Sequence, residues 1–343
     1  MTVLEVLFPE GRDVAGWAER HGRGETPGLW PYGLDGLRAL DPDARIAELA
    51  KPTRFEAARA RLLPGRRPKL GSAATAEVGI TWDENTGRLM ALTRPHERMY
   101  TGVIWVTDLV ARGRDTGRMR EILREMDGLW VISRGQLEPL RDFVGDDGPP
   151  IAYFRFGVDA DFFPYRPYPT QPLVVSVGGD RDRDAATLFA ALEQVHESVP
   201  EARIVVQTTS TLTAPRGVET VAHLSHRELA DLYAEASVVA IATGQNLHAS
   251  GMTVSLEAMA TGRPVVMTRT PGIEDYVDHG STGLLVPVGD AEALSEGVVR
   301  LLGDPRLAEA YGRAGRAEVE EWGTTRAMVE RMGAFLGLTE DAR

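Results

Sequence analysis

The chain has 343 residues, 43% hydrophobic and 26% charged, with a formal net charge of −12 at pH 7 and no cysteine. That length exceeds one ordinary core and suits two domains, and the composition is that of a soluble globular protein rather than a disordered or membrane one. The acidic balance argues against a nucleic-acid partner, and the lack of cysteine excludes disulfides, thiolate catalysis and Cys-based zinc sites.

No basic leader precedes "MTVLEVLFPEG", and no stretch approaches the ~18 apolar residues of a membrane span, so a cytoplasmic protein without integral membrane association is expected. The first half opens with a strand, "TVLEVLF", and a long loop rich in Gly, Arg and His. "YGLDGLRAL" and "RFEAARARLL" read as helices, and "VGIT", "RLMALT" and "GVIWVTD" as strands. "GRMREILREMDGL" is a helix with Met119, Ile122, Leu123 and Met126 on one stripe. "WVIS" and "AYFRFG" close this half as strands.

Four prolines in "DFFPYRPYPTQP" cannot continue a helix or a central strand and predict a linker. Beyond it, "LVVSV", "ARIVVQT", "SVVAIA", "RPVVMT" and "GLLVP" are short β-branched runs of the kind buried in parallel sheets. Helices at "DAATLFAALEQVHESV", "RELADLYAEA" and "MTVSLEAMA" separate them, and the chain from Asp290 onward reads as helical. The α/β alternation predicts two doubly wound parallel-sheet (Rossmann-like) domains facing across a cleft. The expected bounds are 1–163 for the first domain, 164–172 for the linker and 173–325 for the second. A last helix, 326–343, is expected to pack back on the first domain.

In such folds ligands bind at the carboxyl ends of the strands, so the loops there carry the chemistry. "SVGGDRDRDAATL" ends a strand, turns on Gly178 and Gly179 and starts a helix near Asp184. It lacks the Walker and G-x-G-x-x-G patterns, which disfavours a P-loop kinase or a Rossmann dehydrogenase. Arg181 and Arg183 can neutralise a diphosphate, although the segment reads equally as a polar turn whose aspartates and arginines pair. Interleaved arginines disfavour a divalent metal among its aspartates. In "NLHASGMTVSLEAMATGRPVV", Ser250 or a neighbour can cap the helix with Gly251 just inside it, leaving N–H groups to face an anion. Gly262 suits the C′ position and Pro264 stops the helix. Glu257 lies among apolar residues, where a vicinal diol such as ribose offers two donors to one carboxylate; the alternative is an exposed stripe.

"GMTVSLEAMATGRPVVMTRTPGIEDYVDHGSTGLLVPVGDAEALSEGVVRLLGD" resembles the nucleotide-sugar domain of GT-B glycosyltransferases of the retaining family-4 ("group 1") type. "VSVGGDRDRDAATLFAALEQV", "ELADLYAEASVVAIA", "DGLWVISRGQLEPLRDFV" and "FRFGVDADFF" are similar to that family in the same order. The resemblance is specific over residues 125–320 and weak over the first hundred. It implies transfer of a hexosyl or pentosyl group from a nucleotide-diphosphate sugar, with retained anomeric configuration and no metal or other cofactor. Through it Glu257 becomes the ribose ligand, Arg183 first and Arg181 second become the diphosphate cations, and Ser250, Gly251, Met252 and Thr253 lie against sugar and diphosphate. The first glutamate of the family's E-x7-E motif falls on Ala249, a departure that opens the identity of the sugar.

His248 stands beside this loop, with helix capping as its structural alternative, and Gly28 in "TPGLWPYG" can let backbone approach the donor. The acceptor, a small molecule or lipid-linked compound, is expected on the first domain. Candidates there are Thr107 and Asp108 at the end of "VIWVTD", Asp83 in "GITWDENTG" and His96 in "TRPHERMY", with helix capping, turn chemistry and a surface position as their respective alternatives. A nucleotide-sugar epimerase or phosphorylase, and a non-catalytic nucleotide-sugar-binding subunit, share the same plan.

Overall fold

The structure is a computed structural model that describes residues 3–53 and 77–338. The helix expected at "RFEAARARLL" lies outside the described residues. The chain divides into two compact units. The first comprises Met1–Gly22, Gly28–Phe154 and Met328–Arg343, the second Arg23–Pro27 and Arg155–Ala327. The chain thus leaves the N-terminal unit at Phe154, and its last segment, from Met328, belongs to that unit again.

The N-terminal unit holds a six-stranded parallel sheet of β1 (Leu4–Pro9), β2 (Arg45–Leu49), β3 (Val78–Thr81), β4 (Arg98–Gly102), β5 (Gly128–Val131) and β6 (Ile151–Tyr153), in the order β2-β1-β3-β4-β5-β6. Leu7, Met90, Met99, Leu123, Leu129, Val131 and Leu140 form its core. The stretch "RLMALT", expected as a strand, is the second half of helix Glu84–Thr93. Asp83 sets that helix by accepting the Asn85 and Thr86 N–H groups, and Met90 then points into the core. Helix Val14–Gly22 and β2 arise where only loop was expected. "GVIWVTD" also differs: the strand ends at Gly102, and Val106 begins a short helix to Ala111.

The second unit holds β7 (Leu173–Ser176), β8 (Arg203–Gln207), β9 (Val218–Val221), β10 (Val238–Ile241), β11 (Val265–Thr268) and β12 (Gly283–Val286), all parallel, in the order β12-β11-β10-β7-β8-β9. Helices Ala185–Ser198 and Ala291–Gly303 pack together on the sheet, burying Leu192 and Val195 with Leu294 and Val298 against Val174, Val238 and Val266. Strand order reverses between β7 and β10. Such a reversal leaves a crevice at the carboxyl ends of the two strands, because their following helices go to opposite faces.

The proline-rich segment is held to this unit. Arg263, fully buried, donates to the carbonyls of Arg166 and Pro167 as well as those of Tyr233 and Ala234. Arg316 donates to Ala160, Phe163 and Ala260 carbonyls. Burial pulls Arg263 down to about 10, against the favourable influence of Tyr168 and Tyr165, and the four carbonyls accept from its guanidinium.

Candidate functional site

The crevice beside β7 and β10 is closed by two loops, one after each strand. An antiparallel bridge between Arg183 and Thr243 joins them, with Asp184 N–H donating to the Ala242 carbonyl and Gly244 N–H to that of Asp182. Beneath them the hydroxyls of Thr243 and Thr268 are hydrogen-bonded at 2.7 Å.

Arg183 turns its guanidinium into this crevice between two glycines. A Cβ on Gly178 would lie 2.5 Å from its Nε and Nη2, and one on Gly251 3.0 Å from its Nη1. Both glycines have positive φ, +133° and +95°, a region that L side chains rarely enter. The Nε and Nη1 of Arg183 are buried without a hydrogen-bond partner, a costly state for a cation unless a ligand completes it. Burial pulls its pKa down, while Asp180, Tyr233 and Glu257 favour its charge. Arg181 is exposed on the same loop, so of the two expected cations Arg183 is the one that enters the crevice. Gly179 is exposed, and a Cβ there would meet only ordinary contacts.

Helix Met252–Ala260 starts against this guanidinium. Its N-cap is Gly251, in the left-handed region, and no side chain caps it. The expectation that Ser250 caps the helix is therefore corrected: the Ser250 hydroxyl donates to Asp180 at 2.8 Å instead, and its N–H is taken by Asn246. The Met252 N–H donates to the Ala249 carbonyl at 3.1 Å, and the uncapped helix start, with the Thr253 N–H in its first turn, favours negative charge. The helix ends as expected on Gly262 at φ +80°, with Arg263 N–H bonding to the Ala258 carbonyl and Gly262 N–H to that of Met259.

Glu257 is buried, 8% exposed, and accepts a 3.0 Å hydrogen bond from the Tyr233 hydroxyl. Burial pushes its carboxyl up to about 7, against the hydrogen bond from Tyr233 and the charge of Arg183. The exposed-stripe alternative does not hold, because the whole span Val254–Ala260 is buried. Tyr233, on helix His226–Glu235, escaped sequence reasoning; a tyrosine on the apolar stripe of a helix gives no sign that its hydroxyl will meet a buried acid.

Ala249 has φ +54° and is fully buried, so its methyl faces the core. The two residues around it converge on Asp180: Ser250 as above and His248, whose Nε2 lies 3.4 Å from Asp180 and 3.8 Å from Asp182. Burial raises Asp180, but the bonds from His248 and Ser250 outweigh it and hold the carboxyl well below the usual range. Asp180, Asp182 and His248 each bring one potential metal-ligand atom within 4.8 Å of the others. In this arrangement Asp180 is already engaged by His248, Ser250 and the Asp182 N–H.

On the N-terminal unit the expected acceptor residues do not gather. Asp83 caps helix Glu84–Thr93 with both oxygens. His96 is buried at the amino end of the sheet against Glu5 and Arg94, not on a surface. There burial raises Glu5, but its bonds to His96 and Arg94 prevail and lower it. Thr107 is fully buried and receives Gln136 Nε2, and Asp108 is buried in the first turn of helix Val106–Ala111. Glu84 clamps the loop after β4 by accepting the N–H groups of Ile104, Trp105 and Val106. A small apolar recess lined by Trp82, Gly102, Val103, Ile104, Trp130 and Ile132 lies at the carboxyl ends of β3, β4 and β5. Tyr32, at φ +62°, stacks on Trp82 with ring centroids 4.4 Å apart. Gly28, at φ +69°, accepts the Trp17 indole N–H and is crowded by Asp35 and Gly33, so it serves this local turn.

The family model described as "Glycosyl transferases group 1" matches residues 171–304, which contain every residue of the crevice. A GDP-mannose-dependent monoacylated alpha-(1-6)-phosphatidylinositol monomannoside mannosyltransferase of Corynebacterium glutamicum is 29% identical over 64% of this chain and 64% of its own. A glycogen synthase of Mycobacterium tuberculosis is 26% identical over 57% of this chain and 50% of its own. The matches thus span less than two thirds of the length of either relative. Among solved structures, sucrose-phosphate synthase from Thermosynechococcus elongatus superposes with a TM-score of 0.72 at 18% identity, covering 98% of each chain. The Anabaena protein HepE in complex with UDP and glucose gives 0.71 at 12% identity over 98% of this chain and 99% of its own. No described helix is long and apolar enough to cross a membrane. The two six-stranded parallel sheets and these superpositions give the chain the GT-B fold, and its residues 171–304 are similar to the group 1 glycosyltransferases.

Proposed function

We propose that this protein transfers a glycosyl group from a nucleoside-diphosphate sugar to a small-molecule or lipid-linked acceptor with retention of anomeric configuration. The observation that carries the reading is the Arg183 guanidinium, buried with Nε and Nη1 unpartnered at the uncapped start of helix Met252–Ala260. The diphosphate would complete both. Glu257 lies six residues beyond Gly251, about 9 Å along the helix axis, a span suited to the step from diphosphate to ribose. Its carboxylate would take the two ribose hydroxyls in place of, or beside, the Tyr233 hydroxyl.

The scheme asks for no protein nucleophile. The glycosyl–oxygen bond to the diphosphate breaks, the acceptor oxygen adds on the same face, and the leaving diphosphate oxygen takes the acceptor proton. Arg183 and the helix N-terminus stabilise the charge that develops on the diphosphate. Such preorganised stabilisation is worth about 2.7–4 kcal/mol per donor. No metal is needed for this charge balance. The acceptor would dock at the carboxyl edge of the N-terminal sheet, where the recess beside Trp82 is the apolar feature.

The test is a thermal-shift and transfer screen with UDP, GDP, UDP-glucose and GDP-mannose, followed by NMR of the product's anomeric proton. A rise in melting temperature with a nucleoside diphosphate and an anomeric coupling equal to that of the donor are expected. A well-folded protein that no nucleotide stabilises would refute the donor site. Binding without transfer over a broad acceptor panel would favour the auxiliary-subunit alternative, and an inverted product would refute retention.

A further inference from the structure

If a nucleoside diphosphate occupies the crevice as proposed, the direction in which its sugar must lie follows from the helix. Glu257 is past the helix start and holds the nucleoside side. Asp180 is before it, hydrogen-bonded to Ser250, the residue that precedes the N-cap. Both carboxylates act on the Arg183 charge, and each has its own protein partners, Tyr233 for the one and His248 with Ser250 for the other. The sugar end of the donor is therefore directed toward Asp180.

We propose that Asp180 is a specificity residue that accepts a hydrogen bond from a hydroxyl of the donor sugar, held in place by His248 and Ser250; this rests on the donor reading above. Three observations carry it. The Asp180 side chain is 23% exposed, whereas that of His248 is 4% exposed, so the carboxylate is the part of this group that a ligand can reach. Two carboxylate oxygens offer about four acceptor sites, and the bonds from Ser250, His248 and the Asp182 N–H fill three. The left-handed turn at Ala249 buries the methyl and brings the side chains on either side of it to one carboxylate. A turn built only to reach the helix would not need to present an acid beside an anion site, where its charge opposes the diphosphate. A donor with a hydroxyl to give restores the balance, and a nucleoside diphosphate without sugar does not.

That asymmetry supplies the test. Affinities of UDP, UDP-glucose, UDP-N-acetylglucosamine, GDP and GDP-mannose are measured by calorimetry for the wild type, Asp180→Asn and Ser250→Ala, with melting temperatures recorded for each. In Asp180→Asn the nucleoside diphosphate should bind as well as in the wild type or slightly better, since a negative charge has gone. The sugar nucleotide that the wild type prefers should lose about 10- to 100-fold, the range for a hydrogen bond to a charged group. Ser250→Ala, which keeps the acid but loosens it, should show the same selective loss in smaller measure. Equal loss for diphosphate and sugar nucleotide, or none for either, overturns the proposal and leaves Asp180 as a fastening between the two loops. If the wild type binds no nucleotide at all, the donor reading falls and this inference with it; if it binds nucleoside diphosphates but the variant ratio is unchanged, only the inference falls.

Discussion

Replacing Glu257 by glutamine should make the protein more stable at high pH and worse at holding a nucleotide. The carboxyl is raised by burial from 4.5 to about 7. Between those values the folded protein keeps a proton that the unfolded chain has released, so wild-type stability falls as pH rises through the window. About 2.5 pH units at about 1.36 kcal/mol each come to about 3.4 kcal/mol. Glutamine has nearly the shape of the protonated acid and carries no charge, so at pH 5 the two proteins should unfold alike. By pH 8 the variant should be more stable by about 3 kcal/mol, and subtraction of the two curves removes every other titrating group. Urea unfolding followed by circular dichroism at half-unit steps from pH 5 to 8 measures it. The same variant should bind a nucleoside diphosphate at least about 10-fold more weakly, because the amide is uncharged and presents an NH2 donor where the carboxylate has its second accepting oxygen. A stability difference that does not change with pH would refute the buried ionised carboxylate, and equal nucleotide affinity would refute its role at the ribose.

Arg183→Ala should lower kcat/KM for transfer by about 100- to 1,000-fold while leaving the melting temperature unchanged or higher, since its Nε and Nη1 are unpartnered in the free protein. A fall of several degrees would show that the guanidinium is a structural group. Arg263→Met should act oppositely, costing at least about 3 kcal/mol by stripping four carbonyls of a buried donor, with nucleotide affinity kept in the protein that remains folded. Transfer should survive exhaustive chelation by EDTA; activity that is lost and then restored by Mn²⁺ would instead make Asp180, Asp182 and His248 a metal site.

The central strands of the second sheet were legible because burial on both faces leaves little but β-branched residues, as in "LVVSV" and "SVVAIA". The strands at one edge of each sheet, β9 and β2, lack that constraint, whereas β12 at the other edge of the second sheet is buried throughout. β9, with Glu219 and Thr220 exposed, and β2, with Arg45 and Glu48, carry no apolar run and pass for loop. "RLMALT" was ambiguous for another reason: six residues are too few to separate a period of two from one of 3.6. The cap that decided it, Asp83, stands five residues upstream. The proline-rich segment was visible as an interruption, but not that Arg263 and Arg316, about a hundred residues or more further on, would fasten it to one unit.

The site was legible where its parts lie on one stretch and illegible where they meet through the sheet. Gly251, Glu257 and Gly262 occupy one helix and its ends, so spacing places all three, although Glu257 was separated from an exposed stripe only by the resemblance. The resemblance ranked Arg183 before Arg181, but what separates them physically is the space above Gly178 and Gly251, since both arginines sit on one turn two residues apart. Asp180 meets Ser250 across 70 residues of sequence, and Tyr233 meets Glu257 across 24. The first contact exists because strand order reverses between β7 and β10, which puts two sequence-distant loops over one crevice, and the second because the helices before and after β10 pack side by side. Ala249 is the sharpest case. In sequence it is only the absence of an acid; in the fold its left-handed turn sends the methyl inward and its neighbours to Asp180. An acid missing from the helix side of the crevice is thus matched by one on the opposite loop. If Asp180 takes a sugar hydroxyl as proposed, donor choice in this chain is set in the loop after β7 rather than in the motif that opens the helix.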